Sequence, residues 1–207
     1  YHKIAFENNQ LTTGLDQSFG TWYVEPKVNF TENFILKGAF YAQDTDSVNT
    51  GIVGTDVAVA FSDPKAWRAI FEIKQEALNF TSLWLEYNKI DAGFVTPNNA
   101  AFGFIVGPSN FPGMYGTYGE SAFSQILNDT TIWRIGAHQK WSDKWDTFLH
   151  YAKFDIDGTR TVGVNTYTND ATNYSIGFNY HYTPAVTFSL AYDKFETDDP
   201  AFDDNMI

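Results

Sequence analysis

The sequence contains no cysteine, which removes disulfide frameworks and thiolate chemistry. It also lacks any apolar run approaching the roughly 18 residues that a spanning helix needs, so only strands could carry this chain through a membrane. Basic residues are scarce, with 13 Lys and Arg against 25 Asp and Glu and a net charge of -12. Nucleic acid demands a basic surface, so it is not an expected partner. What the chain has in quantity is aromatic side chains: 18% of residues, with 19 Phe and 12 Tyr. The mean hydropathy is nevertheless -0.30, because much of the apolar content alternates with polar residues.

That alternation is the main signal. Thr172, Tyr174, Ile176, Phe178, Tyr180 and Tyr182 interleave with Asn173, Ser175, Gly177, Asn179 and His181. Side chains on a strand have a period of two, so such a stretch has one apolar and one polar face. A soluble β-sandwich alternates too. Tyrosines at the end of the apolar face instead suggest a lipid headgroup boundary. The expected fold is all-β: a transmembrane antiparallel up-and-down β-barrel.

Strand-like segments fall near 2–8, 19–30, 34–44, 67–76, 80–91, 131–141, 145–157, 171–182 and 186–197. Short turns at 31–33, 77–79, 142–144 and 183–185 alternate with long polar connections at 9–18, 45–66, 92–129, 158–170 and 198–206. Short turns at one rim and long loops at the other are the pattern of outer-membrane barrels. The segment Thr55 to Phe61 is a candidate tenth strand that would break this parity. An open strand edge in lipid leaves backbone groups unpaired, so 1–207 is expected to be a barrel domain incomplete at both ends.

Three ascending strands end alike, at Tyr87-Asn88-Lys89-Ile90-Asp91, Tyr151-Ala152-Lys153-Phe154-Asp155 and Tyr192-Asp193-Lys194-Phe195-Glu196. Parity turns Tyr87, Lys89, Tyr151, Lys153, Tyr192 and Lys194 outward, with Tyr174, Tyr180 and Tyr182 on the same face. An outward Tyr followed by Lys suits a boundary with anionic headgroups. The same parity turns Glu25, Lys27, Lys37, Arg68, Glu72, Lys74, Glu86, Arg134, His138, Lys140 and Asp193 inward, as candidate pore-lining residues. His138, His150 and His181 also point inward, and His138 and His150 are expected to be cross-strand neighbours. No HExxH-type spacing occurs, so no metal or catalytic residue is assigned. The connection 92–129, rich in Phe and Gly, is the candidate constriction or latch loop.

The segment from Tyr180 to Tyr192 resembles a late hairpin of bacterial porins, echoed by Trp141-Ser142-Asp143-Lys144-Trp145 and Asp203-Asp204-Asn205-Met206-Ile207. More specifically, the chain is similar to the porin domain of the OmpM type, from diderm Firmicutes. That resemblance implies a homotrimer of barrels with about 16 strands each, in a bacterial outer membrane. Peptidoglycan would be gripped only through an S-layer-homology domain that is not in this sequence. The expected function is passive, cofactor-free diffusion of ions and small polar solutes, with outer-membrane lipid or lipopolysaccharide as partner. Two alternatives are a structural outer-membrane anchor and a soluble β-sandwich carbohydrate-binding module, in which the tryptophans would stack on sugars.

Overall fold

Period-two patterning with β-branched and aromatic residues favours strands, and strands dominate the computed structural model. It describes residues 2–6, 17–45, 63–92, 94–97, 123–125, 128–162, 164–168, 170–198 and 204–206. In chain order the strands are β1 (His2–Phe6), β2 (Gln17–Val24), β3 (Lys27–Asn29), β4 (Phe34–Thr45), β5 (Lys65–Ile73) and β6 (Ser82–Ile90). They continue with β7 (Val95–Pro97), β8 (Phe123–Gln125), β9 (Thr130–Lys140), β10 (Trp145–Ile156), β11 (Thr159–Val162) and β12 (Asn165–Thr168). The last three are β13 (Ala171–Thr183), β14 (Val186–Thr197) and β15 (Asp204–Met206). Eleven strands form one sheet in the order β1-β2-β4-β5-β6-β9-β10-β13-β14-β15, with β3 beside β4. All its pairings are antiparallel, between strands that follow one another in the meander. The all-β, antiparallel, up-and-down architecture expected from the alternation is the one observed.

Boundaries depart from the sequence reading in places with clear physical causes. The strand expected over 19–30 breaks at Glu25 and Pro26, because proline has no N–H for the ladder. Its register against β4 is unchanged across the break, Val24 facing Phe40 and Lys27 facing Lys37. The strand expected over 67–76 stops at Ile73, and α1 (Gln75–Leu78) makes the turn, ended by Asn79 in the left-handed region at φ 62. Asparagine tolerates that region better than most residues. Two of the expected loops contain hairpins, β7 with β8 and β11 with β12. The terminal stretch read as loop contributes β15, which pairs with Asp193–Phe195 of β14. The candidate tenth strand, 55–61, lies outside the described residues.

The two faces of the sheet differ as the period demands. On one, Leu85, Ile135, Leu149, Ile176 and Leu190 stand exposed. On the other, Glu86, Asn88, Arg134, His150, Asn173, Ser175 and Asp193 are at most 2% exposed, so this polar face is covered. Glycines make part of that packing possible. Gly136 lies opposite Trp84 and Gly177 opposite Phe148. A Cβ at either glycine would sit 2.4 Å from the facing ring, so each ring occupies the space that the neighbouring strand leaves open. Between the rings lies the imidazole of His150, 5.7 Å from Trp84 and 5.1 Å from Phe148.

This packing makes a prediction. Gly136→Ala should destabilise the fold by about 1–3 kcal/mol, the usual cost of overpacking, read as a lower urea midpoint. Gly38→Ala should cost less, because the nearest atom its Cβ would meet is in the Pro26 ring, at 3.2 Å.

Candidate functional site

The buried face is built in layers. Near the long-connection rim, Ala39, Tyr41, Ala66, Ile90, Ile132, Ala152, Phe154, Ala171 and Phe195 form an apolar cluster with Phe94. Phe94 comes from the candidate constriction segment 92–129 and meets Tyr41 edge-on at 6.4 Å. The chain reaches that position through a turn in which Phe94 N–H donates to the Asp91 carbonyl and Ala92 N–H donates to the Asp129 carboxylate. Within the described residues, the segment therefore leaves β6 towards the buried side of the sheet. Ile90, Phe154 and Phe195 are the apolar residues that follow the three repeated lysines, and all three join this cluster.

A charged layer lies beside it. The Glu86 carboxylate receives Arg134 at 2.9 Å and Asn88 at 2.8 Å on one oxygen, and Arg68 at 3.1 Å on the other. Arg134 and Glu86 are almost fully buried, while the Arg68 side chain keeps 19% exposure. Lys37 pairs with Glu72 at 2.5 Å, and the Tyr41 hydroxyl donates to Glu25 at 2.5 Å. On the later strands, Asp193 accepts from both Asn173 and Ser175. At the short-turn rim the Asp146 carboxylate faces His138 at 3.1 Å, His181 at 2.5 Å and the Asn179 amide at 2.7 Å.

Each candidate pore-lining residue can now be placed. Lys37, Arg68, Glu72, Glu86, Arg134, His138 and Asp193 share the buried face. Glu25 reaches it through Tyr41. Lys27 is exposed on β3, and Lys74 is exposed just before α1. Lys140 is exposed at the end of β9, and its ammonium, bonded at 2.7 Å, holds the Asp143 carboxyl below the usual carboxylate range. The expected pairing of His138 with His150 is incorrect. His138 faces Phe148 and His150 faces Gly136, because the turn closes from Trp141 N–H to the Trp145 carbonyl and so centres on Asp143. Among the described residues, no group of three or more His, Asp or Glu has metal-binding geometry.

The opposite face carries the candidate boundary residues, and their register reveals a regularity. The outermost aromatic residues of that face near the long-connection rim are Trp67, Tyr87, Trp133, Tyr151, Tyr174 and Tyr192, on β5, β6, β9, β10, β13 and β14. Trp67 lies opposite Lys89, so Tyr87 is two residues lower, while Tyr87 and Trp133 are level. Trp133 lies opposite Lys153, so Tyr151 drops two more, and Tyr151 and Tyr174 are level. Tyr174 lies opposite Lys194, so Tyr192 drops two again. Adjacent rings touch: Trp67 and Tyr87 at 4.7 Å, Tyr87 and Trp133 at 4.4 Å, Tyr151 and Tyr174 at 5.1 Å. Lys89, Lys153 and Lys194 lie one position beyond their tyrosines. Near the other rim, Trp145 packs on Tyr180 at 4.3 Å, and Tyr182 approaches Phe188 at 6.4 Å.

Sequence reasoning missed Trp67 and Trp133 in this row, although both share the parity of their tyrosine neighbours. It also missed Asn88, Asp146, Asn173 and Ser175, whose importance comes from cross-strand partners that one strand cannot reveal. The shared carboxylate supplies a prediction. Glu86→Gln should cost about 3–5 kcal/mol of unfolding free energy, since it leaves two guanidiniums without their carboxylate, one of them almost fully buried. Asp143→Asn, in the exposed turn, should leave the denaturant midpoint unchanged.

No family model and no curated protein matches the sequence. Among solved structures, the CymD monoaromatic hydrocarbon channel superposes with a TM-score of 0.45 at 12% sequence identity, over 94% of this chain and 51% of that one. This chain thus spans about half the length of that channel.

Proposed function

We propose that this chain is part of the wall of a transmembrane β-barrel in a bacterial outer membrane, and that the barrel is a diffusion channel for small solutes. The observation that carries the reading is the slanted aromatic row. It descends six residues over five strand-to-strand steps. At about 3.3 Å per residue and about 4.8 Å per strand, the row runs at about 40° to the perpendicular of the strands. If the row marks a flat membrane surface, the strands tilt by that same angle, which is the tilt of outer-membrane barrels. A water-facing strand end has no reason to keep such a line.

On this reading the covered polar face is the lumen wall, and its Lys, Arg and Glu residues favour ions and small polar solutes over any reaction. No catalytic step or cofactor is part of it. The outward Tyr–Lys boundary favours lipopolysaccharide or another anionic lipid as its surroundings, and the barrel is read as one subunit of a homotrimer. The almost complete burial of Arg134, Glu86, Asn173 and Asp193 favours one second reading. A lumen packed this closely suits an anchor that holds the outer membrane to peptidoglycan through another domain.

Single-channel recording in a planar bilayer separates the two. A channel gives stable stepwise openings, in triplets if it is trimeric, whereas folded protein of the anchor type stays silent. Replacing Lys37 and Arg68 together by Gln should move the reversal potential in a salt gradient towards cation preference. An unmoved potential would show that neither residue lies along the path.

A further inference from the structure

Three titratable side chains at the short-turn rim are joined across β9, β10 and β13. The Asp146 side chain, 8% exposed, lies between His138 at 43% and His181 at 38%. Deeper on the same face, Arg134, His150 and Asp193 are at most 2% exposed. Solvent therefore reaches the two imidazoles, while the deeper charges are shut in.

The hydrogen bonds around the cluster suit two protonation states. An ionised carboxylate only accepts, so each imidazole presents a protonated Nε2 to Asp146. His181 Nδ1 lies 3.0 Å from the Thr187 hydroxyl, which can donate to a neutral ring or accept from an imidazolium. The Asn179 amide donates to Asp146, and its carbonyl accepts from the Ser189 hydroxyl, which fixes the amide in either state.

We propose that His138, Asp146 and His181 form a pH-dependent charge filter at the short-turn mouth of the lumen, attracting cations when the rings are neutral and anions when both are protonated. The inference rests on the membrane-wall reading above and names the regulation of that channel. Histidine changes charge between about pH 5 and 8, and a carboxylate stays ionised there. One negative charge beside two neutral rings thus becomes one negative charge beside two positive ones. The sign of the cluster reverses with no movement of the strands. Apart from His150, which Trp84 and Phe148 enclose on β10, the groups packed around it do not change charge over that range. β14 contributes Thr187 and Ser189, and the Thr81 and Ser82 hydroxyls donate to the His138 carbonyl. α1 contributes Gln75, bonded to the Lys140 backbone, and an exposed Glu76. The turn holds the Lys140–Asp143 ion pair and Lys144, whose carbonyl accepts from the His181 N–H.

The test records reversal potentials of the whole chain in a planar bilayer under a salt gradient, from about pH 8 down to about pH 5. The parent's cation-to-anion permeability ratio should fall by about fivefold. Replacing His138 and His181 together by Gln, which keeps a donor for Asp146, should abolish that fall. Either single replacement should leave about half of it on a logarithmic scale. A parent ratio that is constant with pH overturns the proposal, and so does a double variant that keeps the full fall. Should the double variant fail to fold, the single variants decide, and an undiminished fall in both is the overturning result. Carbon-13 NMR of the labelled protein in detergent separates the filter from the channel reading beneath it. Folded protein that passes no current, while its Asp146 carboxylate carbon shifts as the two rings titrate, refutes the channel and retains the charge switch. An Asp146 carbon that holds still through the same range overturns the switch itself.

Discussion

Side-chain direction on a strand alternates, so a slip of one residue in any pairing exchanges the two faces of that strand. Every other feature of this protein depends on that constraint being met at each pairing from β4 to β14. One slip at β9 would put Arg134 among Leu85 and Tyr151 and turn Ile135 into the charged layer. Several devices hold the register. The short turns 141–145 and 183–186 leave little freedom in length. Trp84 over Gly136 and Phe148 over Gly177 each match a large residue to a vacancy on the adjacent strand. The Glu86 carboxylate can bridge Arg68, Asn88 and Arg134 only when β5, β6 and β9 are aligned as observed.

The same charges explain why the buried face is specific rather than merely stable. Removing an ion from water costs several kcal/mol, and a partner repays this only with good geometry and further hydrogen bonds. Glu86 has both, with each oxygen bonded. Asp193 accepts from an amide and a hydroxyl. Asp146 has two imidazoles and an amide. Among the described residues, the buried face of β10, β13 and β14 offers Asp146 and Asp193 but no Lys or Arg, whereas from β4 to β9 it offers Lys37, Arg68 and Arg134 against Glu72 and Glu86. The charge is therefore unevenly spread around the wall, which neither the net charge of -12 nor any one strand discloses.

How much of this could be read from the sequence follows from what is local. Alternation gave the strands β4, β6, β9, β10, β13 and β14 to within about two residues, because face and period are properties of a single segment. It gave the outward positions of Tyr87, Tyr151 and Tyr192 for the same reason. It failed at Pro26, where one missing N–H interrupts a strand of correct parity, and at Gln75–Leu78, where a helical turn replaces an extended one. It failed more instructively at His138 and His150. Both were placed on the correct face, yet their pairing depended on which residue centres the turn, a matter of one position. Ile90, Phe154 and Phe195 have polar neighbours on both sides in the sequence, and their common cluster with Phe94 exists only once seven strands are assembled.

The slant of the aromatic row bears on the remaining question, what the exposed face is for. In a β-sandwich, a large apolar side chain outside the core is a scattered event with no cause linking one strand to the next. Here the outermost ring moves by two residues at three of five strand junctions and stays level at the others, always in the same direction. A boundary that is straight in space but oblique to the strands is what a planar surface outside the protein would impose. Neither strand ends nor turn lengths produce it, because the strands end at the turns and the row does not follow them. The lysines keep their place one step beyond the rings on β6, β10 and β14, so the polar side of the boundary is oblique as well. A flat lipid surface crossing tilted strands accounts for both lines with one angle.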